Sequence, residues 1–382
     1  MMAIEDIKAG DIIVQVPKLF LISNDLLYKV YGAHPLSTHQ ILALHLVILL
    51  INDTKENKWW KPYLDLLPTH FNTLPVTFPP ILSKHLPRSL AEEVSLQRQK
   101  IKQDYQACIK FMKTRPSLLP LLSHVSFKRY EWAWLCVNTR CIHVSTSDKT
   151  AKGGNIAMAP LLDFLNHTTE ARIESKFNQQ TQSFEIRTLT PYRKGEQVFI
   201  NYGPHDNQAI FKEYGFVLSN NSYNFVSLDK EVMDLFPQIE KSSQGRMIKK
   251  NILEKSGYYG DYTIKKDEIS FRLLNALRLL AIPFNATGFH QSQTIWQDVI
   301  MGLHEIIDNE NEKKVYELLK RICTQAYIES KEEQLSLNDI NLLDDLSIHP
   351  FALLFLKQIW KESVDILEQV LYSIEIKLSV LS

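Results

Sequence analysis

The sequence predicts an α+β protein, with β structure near the start and in the middle and helices between and after. Three observations carry that expectation. Ile12-Ile13-Val14-Gln15-Val16-Pro17 and Ser183-Phe184-Glu185-Ile186-Arg187 read as strands, and the second alternates with period two, as a half-buried strand does. From His39 to about Leu121 the pattern turns helical, and Ile41, Leu42, Leu44, Leu46, Val47 and Leu50 form one broad apolar helix. After Leu228 the composition changes again. Glu231 to Ser382 is almost all helical pattern, with Phe271, Leu274, Leu277 and Leu280 on one stripe and Leu356, Ile359, Ser363, Val370, Ile374 and Leu378 on another.

Composition bounds the class. The 382 residues suffice for two or three units of ordinary size. A hydrophobic content of 45% with only 12 glycines suits a globular, helix-rich chain. Lys plus Arg equals Asp plus Glu, 43 each, which argues against nucleic-acid binding by bulk charge. The four cysteines, Cys108, Cys136, Cys141 and Cys323, form no C-x-x-C pair, so neither a structural zinc site nor a secreted disulfide framework is expected. Met1 to Gly10 has no apolar h-region, and the longest apolar run, Ile41 to Ile51, is about 11 residues. A bilayer span needs about 20. The expectation is an intracellular, soluble protein with no membrane partner and no direct nucleic-acid contact.

In chain order, Ile7 to Asp11 reads as a turn, and the strand after it completes a β hairpin ending at Pro17. Phe20-Leu21-Ile22 reads as a further short strand. Trp59 to Pro68 is aromatic-rich and bracketed by prolines, a pattern expected to pack a helix end. Glu92 to Thr114 is a helix whose charges form a solvated face. Tyr130 to Arg140 is a helix with a bulky aromatic face, running into the strand-like Cys141-Ile142-His143-Val144. Ser145 to Asn155, with Gly153-Gly154, is a loop.

The stretch from Pro160 to Phe216 organises the rest. Asp163, Asn166 and His167 sit in an apolar run. A hairpin and the turn Pro191 to Gly195 follow, and a second strand, Gln197 to Tyr202, stops at Gly203-Pro204, about 35 residues after the first cluster. Tyr214-Gly215-Phe216 closes the stretch. Singly, each cluster has a plain structural explanation, as a turn pair or a core tyrosine with a satisfied hydroxyl. Strand ends that present Asn, His and Tyr in this order are where small-molecule chemistry is built.

The set Thr139-Arg140, Asp163-x-x-Asn166-His167, Tyr202-Gly203 with Asn207 after it, and Tyr214-Gly215-Phe216 resembles the SET-domain lysine methyltransferases of the Rubisco large-subunit methyltransferase class. The resemblance runs nearly end to end. It implies a split SET domain, β-rich and pseudoknotted. Its N-terminal strands would occupy residues 1–25, a helical insert 26–127, the catalytic half 128–228 and a helical substrate-binding domain 229–382. It also implies a protein-lysine N-methyltransferase using S-adenosylmethionine (SAM), acting on histone or non-histone proteins in the cytoplasm or nucleus. The alternative is a SET scaffold that holds a partner protein without effective catalysis.

The same resemblance assigns residues. Tyr202 is the catalytic tyrosine. Arg140, Asp163, Asn166, His167, Tyr202, Tyr214 and Phe216 bind the cofactor. Arg140 would answer the SAM carboxylate. Asn166 and His167 would bond the tail and adenine edge, and Tyr214 or Phe216 would wall the adenine. Pseudoknot threading would bring Asn166-His167 beside Tyr202. Two departures qualify this. The class's R-G-x-G-L loop ahead of the first strand is not in the sequence, which starts Met1-Met2-Ala3, so weak or absent activity is expected for the chain as written. Adding such a loop is expected to raise SAM affinity. Ile142 stands where the class's histidine-specific member has Asn, which favours lysine over histidine.

Overall fold

The strand Ile12–Pro17 (β1) pairs with a segment about 170 residues further along the chain, as the Gln15–Glu185 contact marks. This is a departure from the expected local hairpin. Gly10, at φ 101°, turns the chain, but Ile7 then bridges Tyr192 rather than β1. The computed structural model describes residues 1–52, 54–144, 156–284, 288–341 and 347–381. The expected loop Ser145 to Asn155 lies outside the described residues. The chain divides into two compact units, residues 1–83 with 90–221 and residues 84–89 with 222–382.

In the first unit, β2 (Ile22–Ser23) leads into α1 (Asn24–Tyr31) and α2 (Thr38–Ile51). Ser37 starts α2 with a capping box: its hydroxyl accepts the Gln40 N–H while the Gln40 side chain accepts the Ser37 N–H. This helix is apolar all round and buried along nearly its whole length, as such a composition requires. Next come α3 (Lys55–Leu64), the short α4 (Pro80–Ser83) and α5 (Arg88–Lys113). The aromatic segment from Trp59, expected to pack a helix end, is itself part of α3. It buries Trp60, Tyr63, Leu64 and Leu67, a helical spacing, and leaves Trp59 stacked on Phe20 at the surface, 5.3 Å between rings.

The rest of this unit follows as α6 (Phe127–Arg140), β3 (Cys141–His143), β4 (Ile156–Met158), β5 (Asn166–His167), β6 (Ile173–Asn178), β7 (Ser183–Thr188), β8 (Phe199–Ile200) and α7 (Asn207–Tyr214). Strand order is β1-β7-β6 in one antiparallel sheet and β2-β4-β3 in another, while β5 and β8 pair in parallel. β7 was expected to be half-buried. As the central strand it is covered on both faces, and Ser183, Phe184, Glu185, Ile186 and Thr188 are all buried. The Glu185 carboxylate is tolerated there because Gln15, Asn178 and Thr181 donate to it. The expected strand Gln197 to Tyr202 shrinks to Phe199–Ile200. Asn201 ends the ladder by turning its side chain onto the backbone, accepting the Gly203 N–H at 2.8 Å.

The second unit is mostly helical: β9 (Val226–Ser227), α8 (Asp229–Ile239), α9 (Ser243–Lys255), β10 (Thr263–Lys265), β11 (Glu268–Ile269), α10 (Phe271–Ala281), α11 (Phe289–Ile300), α12 (Asn309–Asn338) and α13 (Pro350–Leu381). Its core takes Leu277 and Leu280 from α10 and Leu367, Val370 and Ile374 from α13, whereas Phe271 is exposed. Within this core Arg278 makes a bidentate pair with Glu312, both bonds 2.8 Å, and donates to Asn275 as well. Among the described residues, no helix is long and apolar enough to cross a membrane, and no group of His, Cys, Asp and Glu could hold a metal ion.

Candidate active site

Three local features bring the polar residues of the Pro160 to Phe216 stretch together with the end of α6. The first is a 3-10 turn, Leu162–Phe164, entered through Leu161 at φ 72°. A leucine in the left-handed region costs about 1–2 kcal/mol. The turn lays Asp163 against the last residue of α6. Arg140 Nη1 donates to the Asp163 backbone carbonyl at 3.0 Å and to its Oδ2 at 3.3 Å. The Asp163 side chain is fully buried, and Arg140 is 20% exposed. Tyr63 on α3 donates its hydroxyl to the same Oδ2 at 3.0 Å.

Burial pushes the Asp163 carboxyl above its usual range, opposed by Arg140 and by the Tyr63 hydrogen bond. Burial, with Asp163 adjacent, pushes the Tyr63 phenol well up, so it stays protonated and donates. Two polar atoms here, Arg140 Nε and Asp163 Oδ1, are buried without a hydrogen-bond partner among the described residues.

The second feature is the parallel β5–β8 pair, with Asn166 opposite Phe199 and His167 opposite Ile200. It sets His167 under Tyr202, two residues past the end of β8. His167 Nδ1 accepts the Tyr202 backbone N–H at 3.0 Å, and the two rings stack with centroids 5.0 Å apart. Accepting at Nδ1 places the ring proton on Nε2, which is buried and has no partner among the described residues. Burial lowers the His167 pKa, with His205 adding to the effect, so the ring is neutral.

The third feature is the chain turn after Tyr202. Gly203 has φ +132°, a conformation that residues with a Cβ rarely adopt, and a Cβ there would lie 2.7 Å from the His205 ring, which would have to move. The Tyr202 hydroxyl donates to the Leu165 carbonyl at 2.7 Å. Its one proton is thereby committed, and the oxygen offers only lone pairs to anything else. Burial, with Tyr214 alongside, pushes the Tyr202 phenol up to about 12. Near neutral pH it is not a phenolate, which argues against a role as general base. Tyr214 lies 4.8 Å from the Tyr202 ring and 6.2 Å from Phe216.

A cavity of 350 Å³ opens beside these groups. Arg140, Asp163, Tyr202 and Tyr214 stand on its wall, with Ile142 and Cys141. The Cys141 thiol is pushed up to about 11 by burial and is protonated. Asn166, His167 and Phe216 are not on that wall. Asn166 is exposed, His167 lies behind Tyr202, and the Phe216 ring is 6.3 Å from His167. The residues expected to form one site are thus gathered, four around the cavity and three behind or beside it. Tyr63 and the Leu165 carbonyl were missed. Tyr63 carried a signal, since positions 60, 63, 64 and 67 share a helical face, but a carbonyl has none in a sequence.

A guanidinium–carboxylate pair, neutral phenols and a cluster of aromatic rings suit a ligand that bears both a charged tail and a flat ring. The comparisons with known proteins agree in kind. The SET domain profile matches residues 1–203, and that of the C-terminal domain of ribosomal lysine N-methyltransferase 2 matches residues 224–373. The chain is 31% identical over 371 residues to human SET domain-containing protein 4, covering 91% of this chain and 81% of that one. It is 26% identical over 373 residues to ribosomal lysine N-methyltransferase set11 of Schizosaccharomyces pombe, covering 95% of this chain and 87% of the relative. The fold is that of Rubisco LSMT bound to sinefungin and monomethyllysine, with TM-score 0.69, 20% identity and coverage of 100% of this chain and 85% of that one. Carried by a SET domain, a following lysine-methyltransferase C-terminal domain and a relative alike over most of both lengths, the conclusion is that this chain belongs to the SET-domain methyltransferase family.

Proposed function

We propose that the protein is a SAM-dependent protein-lysine N-methyltransferase acting on histone or non-histone proteins in the cytoplasm or nucleus. The observation that carries the reading is the placement of Tyr202. Its hydroxyl proton is held by the Leu165 carbonyl while its ring lines the cavity shared with Arg140 and Asp163. Bound SAM supplies an electrophilic methyl group on a sulfonium centre.

The chain's residues would do the rest. Arg140 would hold a carboxylate, and the exposed Asn166 would offer its amide to the cofactor tail. Tyr214 and Phe216 would give the adenine an apolar edge. A free lysine has a pKa of about 10.4 and must lose its proton before it can attack. The buried phenols and aliphatic wall disfavour the charged amine. Tyr202, with only lone pairs free, would then accept an N–H and align the nitrogen.

Ile142 on the cavity wall supports lysine over histidine, because it offers no hydrogen bond to an imidazole. The name of the set11 relative, a ribosomal lysine N-methyltransferase, suggests where to look first. The test is incubation of the purified chain with labelled SAM and fractions of ribosomal, histone and other proteins, with mass spectrometry of the products. Methyl groups on lysine, lost in Tyr202→Phe, support the reading. Cofactor binding with no transfer to any fraction favours a partner-holding scaffold. Methylated histidine sinks the lysine assignment.

A further inference from the structure

The buried contact between the helical insert and the candidate site is unexplained by packing alone. Tyr63 sits on α3, 100 residues before Asp163, and its hydroxyl is 3.0 Å from Asp163 Oδ2. Tyr63 is 7% exposed, and the Asp163 side chain is 0% exposed. A phenylalanine would fill the same face of α3 without the hydroxyl, so the hydroxyl itself calls for a role.

We propose that Tyr63 is a positioning residue whose hydroxyl holds Asp163 as a carboxylate beside Arg140, so that the pair presents no net charge to a cationic cofactor. The inference rests on the SAM reading given above. SAM carries a sulfonium, an ammonium and a carboxylate, a net charge of plus one. Its product, S-adenosylhomocysteine, lacks the sulfonium and is neutral overall. A cavity wall bearing Arg140 alone would repel SAM and accept the product. With Asp163 ionised the wall is neutral, and that bias disappears.

Keeping a carboxylate ionised in that place needs help. Burial works against the charge, and among the described residues the side chains that face Asp163 are Tyr63 from α3, Arg140 and Cys136 from α6, and Tyr202 beyond β8, with the residue's own backbone N–H as a further donor. Cys136 is pushed up by burial and stays a thiol, and Tyr202 stays a phenol. Arg140 therefore supplies the one full charge among them, through a single bond to the carboxylate at 3.3 Å. The shorter bond is the one from Tyr63.

The test is calorimetric titration of the full chain with SAM and with S-adenosylhomocysteine between about pH 6 and 9. Each ligand's own titration is the same whichever chain it meets, so it cancels when a variant is compared with the unaltered chain at one pH. In Tyr63→Phe the carboxyl should protonate at higher pH than in the unaltered chain. SAM affinity at the acid end should then fall about tenfold further than in the unaltered chain, equivalent to about 1.4 kcal/mol. S-adenosylhomocysteine should change much less. Asp163→Asn, which keeps the shape and removes the charge, should show the low SAM-to-product ratio at every pH. A Tyr63→Phe profile that matches the unaltered chain overturns the proposal. So does an equal loss of both ligands at every pH, which would mark a packing role. Should Tyr63→Phe not fold, an unchanged ratio in Asp163→Asn overturns it alone. If the unaltered chain binds neither ligand, the cofactor reading fails and this inference with it.

Discussion

His167 holds Tyr202 from below: its Nδ1 takes the tyrosine's backbone N–H at 3.0 Å while the two rings stack at 5.0 Å. The contact joins the two polar clusters of the sequence through a backbone atom, so it fixes where the Tyr202 chain runs rather than what its hydroxyl does. His167→Ala should therefore lower methyl transfer and cost about 1–3 kcal/mol of stability, the cost of leaving a buried donor unpaired. His167→Asn keeps an acceptor and should recover part of both. Denaturant melts and single-turnover assays on the pair check this, and a fully active, fully stable His167→Ala would contradict it.

Tyr202→Phe should lose most methyl transfer while SAM affinity changes little. The hydroxyl that it removes donates to the Leu165 carbonyl and leaves only lone pairs free. Losing an aligning acceptor affects the reacting nitrogen more than the bound cofactor. Calorimetry beside turnover measurements separates the two, and near-normal turnover would sink the assignment.

Stability should fall as pH drops from about 6.5 through about 4, in part because of His45. This ring is buried in α2, takes a 2.8 Å bond with Tyr31 and is pushed down to about 4 by burial. The unfolded chain binds the proton first, so the contribution is whole above the ordinary histidine value and disappears through the folded one. Its size is roughly 3 kcal/mol at full protonation. Denaturant midpoints at pH 7 and pH 4.5 should differ more for the unaltered chain than for His45→Leu.

Glu312→Ala should destabilise the second unit by about 3–5 kcal/mol, because it strands a buried guanidinium. Arg278 is 6% exposed, and among the described residues Asn275 would remain as its side-chain acceptor. Replacing both partners with apolar residues of similar volume should cost less. Thermal melts of the single and double variants give the comparison.

The helices were legible where burial and periodicity agree. Phe127–Arg140 and Arg88–Lys113 follow their apolar spacing, and the all-apolar composition of Thr38–Ile51 marks a helix surrounded by protein. Strand pairing was not legible, because a turn at Gly10 predicts a reversal but not the partner across it. The alternation in Ser183 to Arg187 misled for a related reason. Glu185 and Arg187 are polar, but hydrogen bonds from neighbouring side chains allow Glu185 to be buried as the strand's middle position demands. At the site, side-chain identities were readable and their bonds were not. Arg140 was expected to wait for a carboxylate from outside, yet it already touches one, Asp163. That contact depends on the left-handed Leu161, which no propensity favours.

The long reach from β1 to β7 also sets a timetable for the newborn chain. A ribosome adds about 5–20 residues per second. The separation of 170 residues between Gln15 and Glu185 then leaves β1 without its partner for roughly ten to thirty seconds during synthesis. Throughout that interval Val14 and Val16, buried in the finished fold, lack the strand that covers them. The helices α1 to α5 can form meanwhile from local contacts. Chaperone demand should therefore peak before translation reaches Thr188, and slowing elongation between Lys113 and Ser183 should lower the soluble yield more than slowing it after Leu228.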